Sequence, residues 1–351
     1  MIDVISYIVV IGILVFAHEL GHFLMAKKTG VRVERFSLGF PPKMIGKKIG
    51  DTEYCLSWLP LGGYVKMAGD NPEEKKDKWE TWEFLGKPIW KRSLIVSAGS
   101  VMNFLLAILM FWGVTFFSGK EIVHYDRATI GEIGKDTPAE KAGLKKGDKI
   151  ISINGIEVKN FLDMAELIYK QVEQPVTLKW QRGEEILQAE VVTYKEQVTD
   201  AKGKTRDVGK IGVDPEYSVI RLNIFQSFIE GVGLTVYIAV ESVKFLIGLF
   251  TGAASLKDMG GPVFVARTAG ETAKLGLATF FSFIGLLSVS LSIINILPIP
   301  ILDGGHLIFL GLEKLRGKPL SLKSRAIIQQ IGLVFLLALI IYVSYNDVLR
   351  K

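Results

Sequence analysis

The chain has 351 residues, 49% of them hydrophobic, with a mean hydropathy of +0.33 and a formal net charge of +6. Apolar residues gathered into long runs argue for an integral membrane protein over a soluble domain. No aromatic-basic repeat or helix-turn-helix pattern supports nucleic-acid binding, and the single cysteine, Cys55, excludes an internal disulfide or a Cys-based structural zinc site.

In chain order, residues 1–26 hold the first expected span. Met1-Ile2-Asp3 lacks a basic n-region, so this run does not read as a removed signal peptide. Inside it stands His18-Glu19-Leu20-Gly21-His22. Residues four apart share a helix face, so two imidazoles can converge on one point, half of a tetrahedral zinc site. Glu19, between them, has the chemistry of a general base for water. The bland alternative is a pair of helix-packing histidines. Metal spacing around an acid at membrane depth, where ionisable groups are costly, speaks against it.

Residues 27–92 are lysine-rich, and the positive-inside rule places them in the cytoplasm. Val31–Phe36 and Tyr54–Leu59 alternate like strands, with turn signals at Pro41-Pro42, Gly50-Asp51 and Pro60-Leu61-Gly62-Gly63. β-Hairpins are expected, with Tyr64–Met67 as a further strand able to pair with an extended peptide. The polar, Trp-rich stretch 71–91 reads as an interfacial helix or loop. Residues 93–118 form the second span; Asn103 within it reads as a helix-packing hydrogen bonder. Residues 119–215 form an α+β module of a size that holds its own core. Its string Pro138-Ala139-x-x-Ala142-Gly143-Leu144-x-x-Gly147-Asp148 resembles a PDZ domain. That resemblance puts a peptide groove between Thr129, Ile130, Gly131 and Glu132 and the helix near Phe161–Leu167.

Residues 216–278 are apolar but interrupted by Glu230, Glu241 and Lys244. Hydropathy alone allows a span there, but parity between the outward second span and the basic loop at 313–325 forbids a simple single crossing. Interfacial amphipathic helices are therefore expected, and a fifth crossing would need 252–278 to re-enter. Residues 279–312 form the third span, 313–325 a basic cytoplasmic loop and 326–346 the fourth span. Parity then brings Asn295-Ile296-Leu297-Pro298-Ile299-Pro300-Ile301-Leu302-Asp303-Gly304-Gly305-His306 level with His18 and His22. Asp303 is assigned as third ligand, with His306, also a good zinc donor, as its competitor.

His-Glu-Leu-Gly-His in the first helix, a PDZ-like module between later spans and Asn-x-x-Pro-x-Pro-x-Leu-Asp-Gly together resemble the site-2 protease family of intramembrane zinc metalloproteases, in its bacterial regulator-of-sigma-E type. The resemblance implies one Zn2+ per chain on His18, His22 and Asp303, Glu19 as catalytic base, His306 as a non-ligand and Asn295 as a substrate contact. It implies a membrane-re-entrant β element at 31–68 that holds substrate extended, with Gly62, Gly63 and Tyr64 in contact. Gly260-Gly261-Pro262-Val263 resembles the family's stretch preceding the third helix. The chain departs from relatives that carry two PDZ modules, having room for one. The expected architecture is therefore a polytopic α-helical membrane protein of four transmembrane helices in the bacterial cytoplasmic (inner) membrane. It carries a cytoplasmic-side β element and one extracytoplasmic PDZ domain. Expected partners are single-span membrane substrates such as trimmed anti-sigma factors or remnant signal peptides, the lipid bilayer, and peptide or ectodomain segments at the PDZ groove, with no nucleic acid.

Overall fold

The computed structural model describes residues 2–71, 76, 78–199 and 205–349. It divides into one unit of Met1–Ser118 with Asn223–Lys351 and a second of Gly119–Leu222. Part of the expected interfacial stretch, 72–75 and 77, lies outside the described residues.

The first unit opens with helix α1 (Ile2–Lys28), followed by β1 (Val33–Ile49), β2 (Thr52–Met67) and α2 (Ile89–Ser118). α1 buries Ser6, Val10, Leu14, Ala17 and Gly21, a stripe at three- and four-residue spacing. It comes close to α2 at Gly21, where a Cβ would stand 2.2 Å from the Ala98 carbonyl oxygen. Small residues permit such backbone approach between membrane helices. Gly21→Ala should therefore cost roughly 1–3 kcal/mol through overpacking. Thermal unfolding in detergent checks it; an unchanged melting temperature would refute the claim that this contact limits the helix spacing.

β1 and β2 bend at Pro41-Pro42 and at 60–62, and their registers build one sheet with the order 63–67, 33–40, 52–59, 43–49. The proline and glycine signals thus mark bends within a sheet, a richer pairing than separate hairpins. The sheet is held to α1 by edge-to-face rings: Phe36 lies 6.0 Å from Phe16 and 5.2 Å from Phe23. Strand 63–67 is consequently the edge beside α1.

The second unit contains β3 (Lys120–Val123), β4 (Ile130–Ile133), α3 (Pro138–Lys141), β5 (Lys149–Ile153), β6 (Ile156–Glu157), α4 (Phe161–Tyr169), β7 (Pro175–Arg182), β8 (Glu185–Val192), β9 (Tyr194–Thr199), β10 (Thr205–Lys210), β11 (Val213–Pro215) and β12 (Tyr217–Ile220). A sheet β6-β5-β7-β8 packs Ile150, Ile153, Val176 and Leu178 against Met164 and Ile168 of α4. Asn154 and Gly155 take φ of 50° and 79°, the left-handed pair that a tight hairpin between β5 and β6 requires.

The groove expected along Thr129–Glu132 has to be moved. β4 pairs with β11 on one flank, while Ile130 donates its N–H to Asp148 and accepts from Gly147 on the other. An interior strand has no edge to offer. A Cβ on Gly131 would meet the Pro215 carbonyl oxygen at 2.2 Å, and Ile130 is fully buried. The concavity next to α4, about 420 Å³, is bordered instead by Ile211–Pro215 and by Phe161, Met164 and Ile168.

The first unit resumes with α5 (Ile224–Thr251), α6 (Pro262–Leu275), α7 (Leu277–Ile296), α8 (Asp303–Arg316) and α9 (Leu322–Leu349). Among the described residues, five helices are long and apolar enough to cross a membrane: α1, α2, α5, α7 and α9. The stretch 216–278, expected to hold interfacial amphipathic helices, contains the 28-residue α5 and the 14-residue α6. Of the charges that interrupt α5, Lys244 pairs with Glu241 at 2.8 Å. The buried face of α5 carries the small residues Ser227, Gly231 and Thr235, with Gly231 against the Trp112 backbone.

α5 and α7 both run antiparallel to α2. Trp112 donates to the Ile224 carbonyl at 3.1 Å while Ala107 and Phe111 meet Ile238 and Ala239. Ser288 and Ser292 donate to the carbonyls of Asn103 and Ser100 at 2.7 and 2.8 Å. The chain must therefore return between α5 and α7, and α6 makes that return, packing Ala269 against Val10 and Leu14 of α1. The buried carboxylate of Asp347 on α9 accepts from the N–H groups of Gly261 and Phe264, at 3.1 and 2.9 Å, and so caps α6.

The expected span 279–312 is two helices broken at 297–302, because Pro298 and Pro300 cannot continue a helix. The expected loop 313–325 shrinks to 317–321, since α8 ends at a left-handed Gly317 and α9 begins at Leu322.

Candidate metal and catalytic site

Three side chains from two distant parts of the chain converge. His18 and His22 Nε2 atoms lie 3.1 Å apart, and the Asp303 Oδ2 atom lies 3.4 Å from His18 Nε2 and 3.6 Å from His22 Nε2. Two bonds of about 2.05 Å at a tetrahedral angle put their donor atoms about 3.3 Å apart. The spacing therefore fits one zinc ion at the centre of the three atoms. Among the described residues this is the one group of three such donors. His306 stands outside it: its Nδ1 accepts from the Arg325 guanidinium at 3.1 Å. The structure thus brings Asp303, and not its competitor, to the histidines.

Local sequence explains the convergence. α1 turns both imidazoles to one face. Gly304 and Gly305 let α8 begin beneath the end of α7: a Cβ on either would lie 2.1 Å from the Ile296 or 2.3 Å from the Ile299 carbonyl oxygen. That tuck places Asp303 at the first turn of α8, beside α1 and α2.

The surrounding groups orient the ligands. His22 Nδ1–H donates to the Ile95 carbonyl at 2.8 Å, which fixes the tautomer and leaves Nε2 its lone pair. Asn103 and Asn295 each bring a side-chain amide to 3.5 Å from His18 Nδ1. With Nε2 facing the other donors, Nδ1 carries the proton and needs an acceptor. Asn103 Oδ1 is buried without a partner in the orientation drawn, and turning that amide by 180° points it at Nδ1. Ser100 Oγ lies 3.5 Å from Asp303 Oδ2. Glu19, half-buried on the same turn of α1, accepts from the backbone amide of Val65 in the sheet edge.

The other expected contacts are placed as follows. Gly63 lies against Glu19, a Cβ there falling 3.2 Å from Glu19 Cγ. Gly62 packs on the Phe40 ring. The Tyr64 hydroxyl accepts from Arg35 at 3.2 Å, so this side chain is engaged within the sheet. Thr129, Ile130, Gly131 and Glu132 belong to the second unit. The sequence gives no sign of Ile95 or Val65, and it shows Gly99 and Ser100 only as small residues beside Asn103, whose packing and catalytic roles it does not separate. The run Gly99-Ser100-x-x-Asn103, small and polar residues on one face of an apolar helix, was the available signal.

A structural neighbour is the PDZ domain of an SdrC-like protein of Listeria monocytogenes, 25% identical, covering 27% of this chain and 92% of that one at a TM-score of 0.21. Sequence relatives span nearly the whole chain. A protein of Agrobacterium fabrum carrying a zinc-metalloprotease name is 32% identical over 98% of this chain and 95% of its own. The regulator of sigma-W protease RasP of Bacillus subtilis is 29% identical, with 99% and 98% covered. The regulator of sigma E protease of Haemophilus influenzae is 29% identical, with 98% of each chain covered. The model of peptidase family M50 matches residues 6–339. With apolar helices of spanning length around a three-donor metal site, the chain belongs to peptidase family M50, the site-2 proteases, and is a membrane-embedded zinc metalloprotease.

Proposed function

We propose that this chain hydrolyses peptide bonds within the transmembrane segments of single-span proteins, with His18, His22 and Asp303 holding one zinc ion and Glu19 as general base. The observation carrying the assignment is the meeting of Asp303 Oδ2 with both imidazoles at zinc-compatible spacing. Bound zinc supplies Lewis acidity, which polarises a carbonyl and acidifies a water. Glu19 takes the water's proton and returns it to the leaving amine. Asn295, and Asn103 beside it, hold the His18 tautomer and offer N–H groups toward developing negative charge.

A transmembrane helix has its amides bonded internally and must unwind before attack. The edge strand 63–67, paired on one side with 33–38, offers an extended template beside Glu19. Gly62, Gly63 and Tyr64 contribute their main chain to that template. Substrates by this reading are trimmed anti-sigma factors or remnant signal peptides, cut in regulated intramembrane proteolysis at the bacterial cytoplasmic membrane.

The basic 27–92 segment and the α8–α9 turn lie on the cytoplasmic side, and both termini and the second unit outside. α5 and the returning α6 form a re-entrant pair, so α1, α2, α7 with α8, and α9 remain the four complete passes. The second unit acts as a PDZ-type module whose peptide or ectodomain ligand lies along Gly212–Asp214, opposite α4.

Purified protein in detergent and a model transmembrane peptide test the assignment. Cleavage should disappear on exhaustive chelation and return as zinc is restored to one ion per chain. Undiminished cleavage by zinc-free protein would overturn it.

A further inference from the structure

Two helical stripes lead away from the metal site. On α2 the residues Asn103, Gly99, Val96 and Arg92 follow at three- and four-residue spacing; on α8 Asp303, His306, Phe309 and Glu313 do the same. One end of this seam is the His18–His22–Asp303 cluster. The other is a fork in which Arg92 donates to both Glu313 oxygens, at 3.0 and 2.5 Å. The fork borders a cavity of about 560 Å³, lined by Arg92, Val96, His306, Phe309, Glu313 and Arg325 among others. His306, three residues along α8 from Asp303, is the lining residue nearest in sequence to the metal site.

The charges around this cavity do not balance. Among its described lining residues are two arginines and one carboxylate, and that carboxylate is already engaged by the Arg92 fork. The Arg325 guanidinium donates to the neutral His306 Nδ1 at 3.1 Å and lies 5.7 Å from the centre of the Phe309 ring. Among the described residues no carboxylate stands within ion-pair distance of it. A half-buried guanidinium with apolar walls is a receptor for a single carboxylate attached to an apolar chain.

We infer that this cavity receives the new C-terminal carboxylate of the cleaved peptide, with Arg325 as its cation; the inference rests on the peptidase reading above. Hydrolysis adds the hydroxyl of water to the carbonyl carbon. The C–N bond breaks, the nitrogen takes a proton, and a carboxylate remains where a neutral amide had been. The substrate carries no charge at that point and the product carries one. Arg325 therefore favours the product over the substrate and draws the carboxylate away from the metal site along the α2–α8 seam, past His306.

The test is equilibrium binding of fluorophore-labelled apolar hexapeptides, ending in a free carboxylate or a carboxamide, to zinc-loaded full-length Glu19→Gln protein in micelles. Arg325→Gln should reduce the preference for carboxylate over carboxamide about tenfold. Arg325→Lys should retain most of it, and Lys323→Gln should leave it unchanged. An independent reading uses the protein without substitution at Arg325: the carboxylate peptide, and not the carboxamide, should protect Arg325 from phenylglyoxal. An unaltered preference in Arg325→Gln, or equal protection by both peptides, overturns the inference. So does loss of the preference on adding phosphatidylglycerol to the micelles, which would assign the cavity to a lipid headgroup. None of these readouts requires turnover, so they fail or succeed separately from the chelation experiment.

Discussion

Glu19→Gln should leave one zinc per chain and a normally folded protein while lowering the rate of transmembrane-peptide cleavage by about 10³–10⁴-fold, the upper range for loss of a general acid–base group. Glu19 is not among the three converging donors, so its replacement removes no ligand. Its carboxylate accepts from the Val65 amide, and a glutamine oxygen can accept the same bond, so the contact between α1 and the sheet edge is kept. What is lost is the basic lone pair that takes the proton from water. Zinc content by metal analysis, together with single-turnover cleavage, separates the two effects. A variant that loses its zinc would show that Glu19 supports the ligands. One that keeps zinc and cleaves at the parental rate would end its role as base.

His18, Glu19 and His22 were legible as one group because they are local in sequence, whereas Asp303 was separated from His306 by the resemblance to a family. His18, Glu19 and His22 fall on one helix turn, and the prolines before Asp303 announce broken helix at a depth where that is costly. What brings the halves together was not legible. It depends on Gly21 against Ala98, on Gly304 and Gly305 beneath the end of α7, and on Ser288 and Ser292 bonded to α2 carbonyls. Each is a contact between segments far apart in the chain, and a glycine or serine in an apolar run carries no label saying what it touches.

The same limit explains the two larger corrections. Hydropathy allows a span at 223–251 and parity argues it away; the long α5 followed by an α6 that returns the chain beside α1 satisfies both. In the second unit, Thr129–Ile133 has the alternation of an edge strand, but alternation reports which face is buried and says nothing about whether an edge is free. That is settled by β11, some eighty residues later, which takes the flank that a peptide would need.

Gly99 offers the sharpest test of the site as a packed object, because it holds no ligand atom and touches two. A Cβ there would fall 2.4 Å from His22 Nε2 and 2.6 Å from His18 Cε1, on the inner edges of the two imidazoles. The rings cannot yield freely. His22 is tied to the Ile95 carbonyl at 2.8 Å, and His18 is enclosed by Asn103 and Asn295. Separating α2 from α1 would give up the close packing of Gly21 on Ala98, the neighbouring residue on each helix. Gly99→Ala should accordingly push one imidazole off the metal position. Loss of groups that merely support ligands costs about 10–100-fold in metal affinity; displacement of a ligand itself should reach the top of that range or exceed it. Zinc affinity by competition with a chromophoric chelator measures this directly, and cleavage should fall in parallel at limiting zinc. The adjacent Val101→Ala, on the exposed side of α2, provides the comparison and should bind zinc as the parent does. If Gly99→Ala holds zinc with parental affinity, the two histidines do not meet at the place where a metal would have to sit.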